Sequence, residues 1–122
     1  MQKEGDMIKA IEDIDHALEL DPYNASAYNA KAWWLATHPD SNVRNGKIAV
    51  ILARRAVKLL PDRRYVDTLA AAYAEIGNYT KATEMQKEII SSLEALGTEK
   101  PTIKHYKKPL EFYKTNKPFR DE

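Results

Sequence analysis

The sequence predicts an all-α protein, and three observations carry that expectation. Gly and Pro are scarce, at four and six of 122 residues, while Ala, Leu, Ile, Lys and Glu, which lose little on entering a helix, dominate. Apolar residues recur at i, i+3, i+4 and i+7, and no run alternates with the period of two that a half-buried strand needs. Asn, Asp, Pro and Gly punctuate the edges of these periodic stretches. A chain of this length makes one domain that buries roughly two-thirds of its unfolded surface.

The elements follow in order. Met7, Ala10, Ile11, Ile14, Ala17 and Leu18 share one helical face, and Asp21-Pro22 ends a first helix over residues 6–20, because Pro excludes helical backbone before it. Asn24 is placed to cap a second helix carrying Ala27, Tyr28, Ala30, Trp33, Trp34 and Leu35. Thr37-His38-Pro39-Asp40-Ser41-Asn42 breaks it into a loop. A third helix opens near Asn45-Gly46, presents Ile48, Ala49, Leu52, Ala53, Ala56, Val57 and Leu60, and stops at Pro61-Asp62. A fourth holds Val66, Leu69, Ala70, Tyr73 and Ala74 up to Gly77-Asn78. A fifth runs from Tyr79 through Ala82, Met85, Ile89, Ile90 and Leu93 to Gly97, a residue suited to the left-handed turn that closes helices. A weaker sixth is expected between Thr102 and Thr115, interrupted by Pro109.

These helices repeat. Ala10, Ile14, Ala17 and Pro22 superpose on Ala49, Ala53, Ala56 and Pro61, and Ala49 recurs at Ala82. Small residues at such positions let antiparallel helices approach closely. Gly5 to Glu12 with Ala17 to Pro22, and Leu69-Ala70, Tyr73 and Gly77-Asn78-Tyr79 followed by Ala82, resemble the tetratricopeptide repeat family over about residues 5–96. The stretch from Leu35 to Val50, the run Asp67 to Glu75 and the ending Lys117-Pro118-Phe119-Arg120 are similar to a bacterial subgroup of that family with no assigned chemistry. The resemblance implies a right-handed α-solenoid of about two and a half helix pairs. It divides into a half repeat over 5–22, a full repeat over 24–61 and a degenerate repeat over 63–96, with 98–122 as a capping segment. The chain departs from the family where Lys31 replaces a buried Leu, where Gln86 and Glu94 replace an aromatic residue and Pro, and where an insertion falls in residues 38–45. The first helix lacks a partner, and either truncation of a longer array or self-association through its open face accounts for that.

Chemistry is sought without result. No Cys is present, which removes disulfides, thiolate metal sites and cysteine nucleophiles. His16, His38 and His105 lie far apart outside any metal-ligand spacing, and no phosphate-cradling glycine motif occurs. Gly5, Gly46, Gly77 and Gly97 are explained by helix boundaries. Paired carboxylates such as Glu12-Asp13 read as solvent-facing charge. A noncatalytic protein without metal or cofactor is expected. No apolar run approaches the ~20 residues that span a bilayer and no signal-peptide core follows Met1, so a soluble, cytoplasmic protein is expected.

Binding is where the residues speak. The resemblance implies a concave wall lined by the first helix of each pair, which grips an extended peptide or a partner helix. Carried onto this chain, the wall comprises Ser26, Asn29, Trp33 and Thr37, then Arg64, Asp67, Thr68, Ala71 and Glu75. Asn29 and Arg64 alone match the residue types of the family's peptide-carboxylate clamp, and Trp33 stands in place of an Asn. Trp33 supplies the large amphipathic surface common in binding hot spots. Two placements stay open for Trp33 and Trp34: both in the interhelix core, or one facing the groove.

Charge divides the chain. Residues 1–40 carry three basic and eight acidic side chains, a net of −5, and the remainder sixteen and ten, a net of +6. Arg54, Arg55, Lys58, Arg63 and Arg64 cluster near one helix junction, and the tail from Lys100 to Arg120 is basic. The leading expectation is an interaction scaffold. The alternatives are a regulatory or terminal module of a larger polypeptide, and nucleic-acid binding through the Arg54–Arg64 cluster and tail. Tyr106, Phe112, Tyr113 and Phe119 are read as an aromatic face docking a last helix on the fifth.

Overall fold

The computed structural model describes residues 4–121, with side chains from Lys9 onward; the apolar position assigned to Met7 lies outside the described side chains. It contains six helices and, among the described residues, no strand: α1 (Glu4–Leu20), α2 (Ala25–Thr37), α3 (Gly46–Leu59), α4 (Arg63–Glu75), α5 (Tyr79–Ala95) and α6 (Lys100–Lys114). Each helix packs on the next, α2 also packs on α4, and α4 touches α6.

Local chemistry sets the boundaries. A helix leaves its first N–H groups unpaired, and a short polar side chain just before it accepts one of them. Asn24, Asn45, Asp62 and Asn78 do so for Ala27, Ile48, Arg64 and Lys81, at 3.1, 3.2, 2.8 and 3.2 Å. At the other ends Gly77 and Gly97 adopt φ of 87° and 69°, and the amides of Asn78 and Thr98 reach back to the carbonyls of Tyr73 and Leu93. A Cβ disfavours this left-handed turn, which is why Gly suits it. Asn116 closes α6 in the same way with φ 58°, and the Lys117 amide returns to the Phe112 carbonyl at 2.9 Å.

The core is built from alanine. Ala32, Ala36, Ala49, Ala53, Ala56, Ala70, Ala72, Ala74 and Ala82 have no exposed surface, so α2, α3, α4 and α5 meet nearly backbone to backbone. Each methyl contributes little burial energy, and stability comes from close fit, which tolerates no added volume. A second cluster, Ile89, Ile90, Leu93, Tyr106 and Leu110, fastens α6 to α5 as the aromatic docking face requires. Phe112 and Phe119 depart from that face: they pack on each other, centroids 5.6 Å apart, and Phe119 also meets Trp33.

One expectation is corrected. Pro109 does not interrupt α6, which runs through it. A proline inside a helix costs ~3 kcal/mol, and burying Tyr106, Leu110 and Tyr113 at roughly 1.5–3 kcal/mol each outweighs that. Gly5 lies in the first described turn of α1. Among the described residues α1 packs on α2 alone, with Ile11, Ile14, Ala17 and Leu18 half-buried. Lys31 joins the two helices through an ion pair to Asp15 at 2.6 Å.

Gly46 answers to space rather than to capping. A Cβ there would lie 2.7 Å from Ile76 Cγ2 and 2.9 Å from Glu75 Cγ, below any real contact distance. Gly46→Ala should therefore destabilise the chain by roughly 1–3 kcal/mol in a denaturant titration; an unchanged midpoint would mean that α3 and the end of α4 are not in close approach.

Candidate functional site

Helix α2 ends with carbonyls that nothing in the helix can satisfy. The His38 amide takes that of Trp34, at 3.1 Å, and the Asn45 amide that of Leu35, at 2.8 Å. The Thr37 carbonyl accepts from the Asp121 amide at 2.9 Å, a residue from the far end of the chain. The left-handed turn at Asn116 sends residues 117–121 back from α6 to the end of α2.

Four contacts hold this segment. The Trp33 indole Nε1–H donates to Asp121 Oδ2 at 2.7 Å. The Phe119 ring lies 5.9 Å from Trp33 and 5.6 Å, edge-on, from Phe112. Arg120 Nη1 stands 2.8 Å from Glu75 Oε1, an ion pair at contact distance whose N–H is not aligned on that oxygen. The fourth is the backbone bond to Thr37. Trp33 thus belongs to the surface that meets the tail, and Trp34, half-buried beside it, does not share these contacts.

Glu75 has a second cation. Arg44 Nε donates to Glu75 Oε2 at 3.2 Å, while its Nη1 donates to the carbonyls of His38 and Pro39 at 2.7 and 2.9 Å. The side chains of Arg44 and Glu75 are each 16% exposed. The loop over 38–45 is further folded by the Asp40 amide on His38 Nδ1 and the Asn42 amide on Asp40.

The other expected wall residues lie elsewhere. Ser26 is exposed in the first turn of α2, and Asn29, one turn before Trp33, is half-buried with its Oδ1 buried and unpartnered. Arg64 is exposed in the first turn of α4 and forks onto Asp62 at 3.1 and 2.8 Å, which with the cap bond holds that carboxyl down at about 2. Ala71 and Thr68 are buried, and the Thr68 hydroxyl donates to the Arg64 carbonyl. Asp67 is buried among α4, α5 and α6, where Gln86 Nε2 donates to it and to the Tyr106 carbonyl, both at 2.8 Å. Arg54, Arg55 and Lys58 rim an open cleft of about 460 Å³ over Ile51, Val57 and Leu69. The three His stay apart, and no group of three or more His, Cys, Asp and Glu converges among the described residues. No helix among them is long and apolar enough to cross a membrane.

The sequence reading missed the returning tail, the Arg44–Glu75–Arg120 arrangement and the buried Asp67–Gln86 pair. The one local signal for the pair was Gln86 standing at an otherwise apolar position. Compared with known proteins, the chain matches no family model, no curated protein and no solved structure.

Burial raises the Asp67 carboxyl above its ordinary value of 3.8, against opposing contributions from the Gln86 bond and the charge of His105. The unfolded chain releases this proton near 3.8 and the folded chain only at higher pH, so stability falls as pH rises through that window. Asp67→Asn keeps an acceptor for Gln86 and should gain melting temperature over the wild type progressively as pH rises above about 4. A difference constant across that range would contradict this.

Proposed function

We propose that the protein is a noncatalytic interaction scaffold whose α2–α4 surface binds an extended polypeptide segment. The supporting observation is that this surface already holds one: Trp33, Thr37 and Glu75 together engage residues 119–121 through a side-chain donor, a backbone acceptor, an aromatic face and a carboxylate. Recognition of an extended chain by one backbone bond plus spaced side-chain contacts is an established binding mode.

The tetratricopeptide-like arrangement belongs to the same proposal. The pairing of α2 with α3 and of α4 with α5, with α2 also resting on α4, is the packing expected when helix pairs stack and their first helices form one wall. In that arrangement α1 is the second helix of a preceding pair and α6 begins the next. Trp33, Thr37 and Glu75 form the working part of the wall, and Ser26, Asn29 and Arg64 extend it toward the other ends of α2 and α4. Asp67 is committed to Gln86 and ties α4 to α5, while Thr68 spends its hydroxyl on the backbone of its own helix.

The test is a peptide array presented to the intact chain. Peptides that bind should lose about tenfold or more in affinity on Trp33→Ala, the size of a hot-spot loss, while helicity is retained. Binding that ignores Trp33→Ala would reject the wall.

A further inference from the structure

We infer that residues 117–121 are a displaceable intrachain ligand, and that the surface beneath them selects segments carrying an aromatic residue, a cationic residue and an acidic residue in that order. This rests on the binding wall proposed above and names what it recognises.

Each position of the segment meets a group that suits its chemistry. Phe119 stands between the Trp33 and Phe112 rings, tilted 45° to the first and edge-on to the second, the latter an arrangement aromatic quadrupoles prefer. Arg120 faces the free oxygen of Glu75, whose other oxygen is taken by Arg44. Arg44 is itself fixed by two loop carbonyls, so the carboxylate is oriented before any ligand arrives. Asp121 accepts from the Trp33 indole and donates its amide to Thr37. Arg120 meets Glu75 through Nη1 alone, as a charge, and the same nitrogen donates to the Phe119 carbonyl at 3.2 Å.

Phe119 packs against the edge of the main buried cluster, yet the attachment as a whole is lighter than core. Its indole bond is solvent-exposed, and Phe119 and Arg120 are only half-buried. The segment's advantage is its tether: the turn at Asn116 and the fixed φ of Pro118 hold it at high effective concentration over the wall. Binding of an external segment with the same order therefore competes with the tail, and weakening the tail should raise external affinity.

The experiment uses a dye-labelled, C-terminally amidated peptide of the sequence of residues 117–121 and fluorescence anisotropy on the full chain. The double variant Phe119→Ala, Arg120→Ala should melt cooperatively and bind the peptide at least tenfold more tightly than the wild type. Adding Glu75→Gln should remove most of that gain. No gain in the double variant would overturn the inference, as would loss of its cooperative melting, which would make the tail part of the fold; Arg120→Gln alone, a milder change, should still give a measurable gain. If array peptides bind with Trp33 dependence yet are indifferent to these tail variants, the wall stands and the intrachain ligand falls. Binding of peptide only at concentrations where the chain forms dimers would replace it with exchange of tails between copies.

Discussion

A carboxylate at the wrong end of a helix organises this molecule. Glu75 is the last residue of α4, where the helix dipole is negative and an anion is unwelcome, and it is largely shielded from water. It is tolerated because two guanidiniums converge on it. Arg44 arrives from the loop over 38–45 and Arg120 from the returning tail. One side chain thereby ties the loop over 38–45, the end of α4 and the last described residues together, and Gly46 leaves the room in which it lies.

The alanine core makes that convergence possible. With nothing larger than a methyl between much of α2, α3 and α4, the helix ends come close enough for a loop arginine to reach across. The same close fit leaves the outer faces of the helices to charge, and the Arg54–Lys58 rim reflects it. Toward α6 the packing changes character: bulky Ile89, Ile90, Leu93, Tyr106 and Tyr113 replace alanines, and a polar pair, Asp67 with Gln86, is enclosed. The hydroxyl of Tyr113 is enclosed there without a partner, and burial pushes it up.

Helix positions were legible because each boundary is a local decision. Asn24, Asn45, Asp62 and Asn78 cap, Gly77 and Gly97 turn, and neither kind of signal needs a distant partner. The alanine spacing was legible for the same reason, since period alone places residues on a face. Pro109 misled because its local cost is visible in sequence and the α5 surface that outweighs it is not. The site was only partly legible. Trp33 and Glu75 stood among the expected wall residues, but Asp121 pairs with a side chain 88 positions away and Arg44 with one 31 away, separations that no periodicity reports. Asp67 and Thr68 fell on the expected wall by register, yet both side chains are enclosed, which the register of a helix does not specify.

Residues 117–121 lie on the α2–α4 surface with Phe119 against Trp33. Two-dimensional nuclear Overhauser spectroscopy of the intact chain tests this placement directly. Cross-peaks between the Phe119 ring and the Trp33 indole, with a slowly exchanging Asp121 amide, are the predicted result. Phe119 and Asp121 resonances at random-coil positions without those cross-peaks would contradict it.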